Sequence, residues 1–378
     1  MKRKNLWALM MLSAAVLSFT ACGKEETSAP VEEIQFDSIA DNASNNTNQE
    51  EVTQEASAEE ETEVEEENRE GMYRSELTNE WIDESLKNQR PIAVMVDNEK
   101  TALPHYGLTE ADVVYEIMNS TANGRITRFM AIVKDWGKIE QFGSIRSARP
   151  TNFLLAAEWN AVVCHDGGPF YINDYLAKKY TNNFSGTFSR VNNGKSKEYT
   201  EYICTGDLDK NFSDSKYTTE YNEYYEGEHF VFSDTEIDLA DKSGVIDATE
   251  IKLPFPHNSS TLKYNEETGT YDYYEYGSKH VDPLHNNEVL SFKNVILQDC
   301  SFSQLDENGY LIYNCIGSGD NGYYLTNGKA VPVSWIKAGE TDITLFLDQE
   351  TGEQIEMNTG KTYIALVPSD TWDEVSIK

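Results

Sequence analysis

Short, unbroken apolar runs limit how this chain can fold. Ile92-Ala93-Val94-Met95-Val96 follows Arg90-Pro91 and stops at Asp97-Asn98. Asp112-Val113-Val114-Tyr115-Glu116-Ile117, Ile126 to Val133, and Ala161-Val162-Val163-Cys164-His165 repeat the pattern. Runs of this length bounded by turn residues predict buried strands. Lys138 to Ile145 is a further strand candidate. Pro150 opens the segment Thr151 to Trp159, which reads as a helix because Pro suits the first helical position. Helical patterning over 170–180 is thinner, and 181–230 reads as loop-rich. Strands and helices mixed in this way predict an N-terminal α/β domain over 72–235.

The pattern changes near residue 245. Leu262-Lys263-Tyr264-Asn265 and Tyr271 to Tyr276 flank Glu266-Glu267-Thr268-Gly269, and Thr344 to Leu347 and Gln354 to Met357 flank Glu350-Thr351-Gly352. Asn327-Gly328 separates Tyr323 to Thr326 from Ala330-Val331, a strong hairpin signal. A mostly β C-terminal domain over 245–370 follows, with a boundary within 233–248. The fold class is therefore α+β: an α/β domain with a mixed sheet, then a β-rich domain.

Charge divides the remainder. The 378 residues include 65 acidic and 31 basic ones, for a net charge of −34. Such a chain repels phosphate backbones, which argues against nucleic acid as a partner. Residues 1–21 carry a basic start and an apolar run from Leu6 to Phe19. That run suits a secretory signal and is too short to span a bilayer. It ends in Phe19-Thr20-Ala21-Cys22, and small residues before a lone Cys resemble a bacterial lipobox. Cys22 is the expected acylated anchor to a membrane. Residues 22–70 read as a disordered acidic tether, spanning roughly 35–40 Å or more.

Four further cysteines, Cys164, Cys204, Cys300 and Cys315, include no C-x-x-C pair, so neither a structural zinc site nor any cofactor is expected. Cys300 and Cys315 face each other if residues 306–309 form a loop, which leaves a cross-strand disulfide open.

Several runs join into an ordered set: Arg90 to Asn98, Gly107-Leu108, Ala111 to Glu116, Ile126 to Phe129, Gly143-Ser144-Ile145-Arg146-Ser147-Ala148-Arg149-Pro150 and His165-Asp166-Gly167-Gly168. His280-Val281-Asp282, Asn294 to Gln298, Gly317-Ser318-Gly319, Asn327-Gly328-Lys329, Trp335 and Asn358 to Ile364 continue it. Over roughly residues 90–370 the chain resembles the YerB-like lipoproteins, a bacterial family of domains of unknown function. Two departures stand out: Gly124-Arg125 replaces a usual Gly-Gly, and Asn192 to Thr200 replaces an Arg-Pro-His-Asn-like segment. The resemblance implies a two-domain lipoprotein of the cell envelope and no established activity.

Among residues that carry chemistry, Arg146, Ser147 and Arg149 precede the predicted helix. A helix N-terminus attracts anions, and arginine favours carboxylate and phosphate partners. With Arg128, His165, Gly167 and Gly168 they make the expected ligand-binding set. The competing reading is an internal ion-pair network with Asp97, Asp112 or Glu116. Asp97, Glu116 and His165 are the candidates for acid/base catalysis. His280 to His285 lacks a recognised ligand spacing and reads as a capped turn, so no metal is expected. Tyr271 and Tyr273 fall on one face of a strand and Tyr274 and Tyr276 on the other.

The leading functional expectation is a membrane-anchored envelope binding or scaffold lipoprotein, for an anionic wall ligand or an envelope protein, without catalysis. An envelope hydrolase or carbohydrate-active enzyme using Asp97, Glu116 and His165 is the alternative. A transporter-associated solute-binding lipoprotein ranks third.

Overall fold

The structure is a computed structural model that describes residues 69–378. The signal segment, Cys22 and the tether as far as residue 68 lie outside the described residues.

The apolar runs form the strands they predict. They are β1 (Ile92–Asp97), β2 (Val113–Met118), β3 (Thr127–Val133) and β4 (Val162–His165), with β5 (Asn183–Ser185) beyond. Every residue of β1 to β4 is buried. Helix α1 (Pro150–Glu158) starts on its proline and every one of its residues is buried, the polar Thr151, Asn152 and Glu158 included. The later strands are β6 (Glu250–Lys252), β7 (Thr261–Asn265), β8 (Thr270–Glu275), β9 (Asn294–Cys300), β10 (Gly322–Thr326), β11 (Lys329–Lys337) and β12 (Thr362–Pro368). The N-terminal region thus mixes helices with a large mixed sheet, and the C-terminal region is almost entirely strand.

One sheet joins the two regions. Its order runs β11-β10-β9-β12-β2-β3-β1-β4-β5. The late strand β12 lies between β9 and β2 and is parallel to both. Strands β2, β3 and β1 pair antiparallel, and β1, β4 and β5 run parallel. Side chains alternate between faces. Strands β6, β7 and β8 pair in a second sheet, and Val94, Val114, Phe129 and Tyr363 enter one core with its Ile251, Leu262, Tyr271 and Tyr273. Met95, Tyr115, Met130 and Ile364 enter the other with Phe153, Leu154 and Leu155 of α1. Full burial of each such α1 side chain contributes roughly 1.5–3 kcal/mol.

Several local expectations need amendment. Residues 181–230 are loop-rich as expected, though beside β5 they also hold the strands Ser189–Arg190 and Glu201–Cys204 and the helix Asp207–Asp214. That helix buries only Leu208, Asn211 and Phe212, too few apolar positions to show a period. The strand expected over 138–145 shrinks to Gln141–Gly143. Residues 170–180 hold a 3-10 turn and the short helix Asn173–Leu176. Tyr271 and Tyr273 are fully buried, whereas Tyr274 and Tyr276 are half-buried. Asn327 and Gly328 both take positive φ, 51° and 72°, in a two-residue hairpin loop. Phe302 pairs with Tyr313, the register that sets Cys300 opposite Cys315, yet both thiols are free and buried.

Candidate functional site

Strand β3 carries Arg128 on the face covered by α1, opposite Asp97 in register. Its Nη1 donates to Asn119 Oδ1 at 3.0 Å and to the Ser147 carbonyl at 2.6 Å. Its Nε is buried without a hydrogen-bond partner. Arg149 caps the start of α1. Its Nε donates to the Asn119 carbonyl at 3.3 Å, its Nη1 to the Ala148 carbonyl at 3.1 Å, and its guanidinium lies 4.7 Å from the Tyr310 ring centroid.

Both arginines are 9 % exposed. All these acceptors are neutral. Among the described residues neither arginine makes an ion pair with a carboxylate. Burial lowers the Arg128 pKa to about 10. Burial first, then the charges of Arg128 and Arg146, lowers Arg149 to about 9. Arg146 also disfavours the charge of Arg128, after burial.

Arg146 differs. It is 21 % exposed, its Nε lies 2.7 Å from Asp97 Oδ2, and its Nη2 lies 3.2 Å from Glu198. The ion-pair reading thus describes Arg146 but not Arg128 or Arg149.

The remaining expected residues frame the arginines. Ser147 Oγ donates to the Asp166 carbonyl at 2.9 Å, and its own carbonyl receives Arg128. The Ala148 N–H donates to the Gly167 carbonyl at 3.1 Å. A Cβ at Gly168 would meet Ile172 Cδ1 at 2.5 Å and the Ala148 carbonyl oxygen at 3.0 Å, so a larger residue here must push Ile172 aside and crowd that carbonyl. His165 is buried; its Nδ1 lies 2.7 Å from the Gly167 carbonyl and its Nε2 3.1 Å from Asn183 Oδ1. It braces the glycine turn, and burial lowers its pKa. Beyond Tyr310 lies the ring of Tyr171, 6.4 Å away, and 4.0 Å from it the ring of Phe170, which is 70 % exposed. Nothing in the sequence marked Asn119, Phe170, Tyr171 or Tyr310 as part of this set.

The structure does not bring Asp97, Glu116 and His165 together. Asp97 shares its face with Ala93 and Met95, whereas Glu116 shares the opposite face with Val114. Glu116 is fully buried there. Its Oε1 accepts from Asn98, Thr127, Asn258 and Ser260, and its Oε2 from Tyr273 and Tyr363. Six neutral donors enclose it and tie the two halves of the chain, an arrangement with no room for a substrate. Glycosidic chemistry needs two carboxylates flanking one bond, and a sheet separates these two. Asp282 caps the turn at Pro283–His285, accepting from the Leu284 N–H at 2.9 Å, as expected of that segment. His280 instead points into the core with Glu275 and His105.

Two family profiles match the chain. The N-terminal domain of a protein of unknown function, DUF3048, covers residues 77–218, and the C-terminal domain of the same family covers 251–364. YerB of Bacillus subtilis (strain 168), whose name classes it provisionally as a lipoprotein, is 25 % identical over 304 residues, 77 % of this chain and 85 % of its own length. The crystal structure of the YerB protein from Bacillus subtilis superposes with a TM-score of 0.68 at 21 % identity, over 81 % of this chain and 99 % of that one. That likeness is one of fold.

Proposed function

The chain belongs to the two-domain DUF3048 family, and on that premise we propose that it is a membrane-anchored envelope lipoprotein that binds an anionic wall ligand at Arg128, Arg146 and Arg149. One observation carries this reading. In a chain with 65 acidic residues, Arg128 and Arg149 are buried and hydrogen-bond only to neutral groups. Burying a charge without a counter-charge is costly, so an anion that meets these guanidiniums recovers part of that cost. The N-terminus of α1 adds its partial positive charge. Phe170 and Tyr171 supply an aromatic rim on which a sugar ring can stack.

Calorimetry with anionic wall fragments tests it. The double variant Arg146→Ala/Arg149→Ala is expected to lose binding by tenfold or more, about 1.4 kcal/mol. Binding equal to that of the unaltered chain overturns the assignment. The anchor is inferred from the Ala21-Cys22 junction and from the lipoprotein name of the relative. Mass spectrometry of the membrane fraction should find Cys22 diacylated, and an intact, unmodified junction refutes it.

A further inference from the structure

The sheet face opposite the arginines holds a second cluster, independent of the ligand reading. His105 lies in the loop before the 3-10 turn Leu108–Glu110, Glu275 ends β8, and His280 follows the next turn. One possible ligand atom from each lies within 4.8 Å of the other two. The residues are 0 %, 3 % and 4 % exposed.

Each also has a polar atom left over. His105 Nε2 lies 2.5 Å from the Asp97 carbonyl, so this nitrogen carries the proton and Nδ1 keeps its lone pair. His280 Nδ1 lies 2.7 Å from Glu275 Oε1, which leaves the lone pair on Nε2. His105 Nδ1, His280 Nε2 and Glu275 Oε2 are all buried with no partner. His105, which donates its far N–H to a carbonyl and presents its other nitrogen free, has the outer hydrogen bond that orients a metal-binding imidazole, whereas the acceptor facing His280 is Glu275, itself one of the three.

Local electrostatics agree. Burial holds both His105 and His280 down to about 4, in the neutral form that binds metals. Burial raises Glu275 to about 7, and the nearby Glu116 carboxylate pushes the same way. No lysine or arginine is among the groups acting on Glu275. Burial disfavours the Glu275 charge and His105 alone works against that, so a cation beside this carboxyl would stabilise its ionised form.

We propose that His105, Glu275 and His280 form a binding site for a divalent transition-metal ion, with zinc the best match to two imidazoles and one carboxylate. Donors on a tetrahedral zinc sit about 3.3–3.5 Å apart, so contraction by about an ångström closes the set. The metal replaces the proton-mediated His280–Glu275 contact and links the first half of the chain to the second. Because the ligands are interior, the ion enters as the chain folds.

The full chain refolded from urea with cobalt(II) as a spectroscopic stand-in, then desalted, tests this. About one cobalt per chain with a tetrahedral visible band is expected, displaced by zinc. Refolding with zinc should also raise the thermal midpoint. Glu275→Gln, which keeps size and hydrogen bonding, should lose the band, as should His105→Gln, whereas His257→Gln should retain it. Desalted wild-type chain without cobalt overturns the site, as does a folded Glu275→Gln or His105→Gln chain with the wild-type band. The wild-type result decides even if neither variant folds.

Discussion

Glu158 shows what a buried charge in this fold looks like when its counter-charge is present. It ends α1, where a carboxylate opposes the helix dipole, and it is fully buried. Lys337 Nζ lies 3.1 Å from Oε2, Thr344 donates to the same oxygen through N–H and hydroxyl, and Tyr115 donates to Oε1 at 2.8 Å. Burial alone would raise its pKa; Lys337, His229 and Thr344 outweigh burial and hold it at about 2. A folded value below the unfolded one stabilises the fold above the unfolded pKa. That contribution, about 3 kcal/mol, is lost as pH falls through the folded value. Urea unfolding between pH 4.5 and 2 should therefore show a steeper decline than Glu158→Gln shows. The variant should also start less stable at pH 7, because Lys337 is left buried and unpaired. Equal slopes in the two proteins refute the assignment. Arg128 and Arg149 are the same problem with no carboxylate hydrogen-bonded to either, which is why the ligand reading rests on them more than on Arg146.

At the scale of elements, what could be read from sequence was whatever local pattern encodes. β1, β2, β3 and β4 announce themselves because a fully buried strand must be apolar at successive positions. α1 does so through Pro150, and the 327–328 turn through its Asn-Gly pair. Pairing leaves no such mark. Nothing in Thr362–Pro368 says that it fits between β9 and β2, two strands that lie far apart in the chain. The same limit explains the site. Arg128, Arg146 and Arg149 stand out as basic residues near a helix start, but their partners are settled by register. Asp97 lies across from Arg128 and still pairs with Arg146. Asp97 and Glu116 look like a carboxylate pair until the pairing of β1 and β2 through β3 puts them on opposite faces. In the His105–Glu275–His280 set, His105 lies more than a hundred residues before the other two, so no spacing motif could reveal it.

For the whole molecule, the arginine site has to work against the chain's own field. Residues 71–378 hold 48 acidic and 26 basic residues, a charge of −22, and the segment before them adds more negative charge. An anionic ligand is repelled at long range and attracted only on contact. Salt separates these two effects because it shortens the Debye length from about 30 Å at 0.01 M to about 8 Å at 0.15 M. The distant repulsion is screened over that range, whereas contacts with buried guanidiniums are screened much less. The association rate of an anionic wall fragment with the full chain should therefore rise severalfold between these salt concentrations, with little change in dissociation, as measured by stopped flow. A protein that captures anions on an exposed basic surface shows the reverse, with association slowing as salt increases. An association rate that falls with salt would place the attraction on exposed lysines and remove Arg128 and Arg149 from the recognition step.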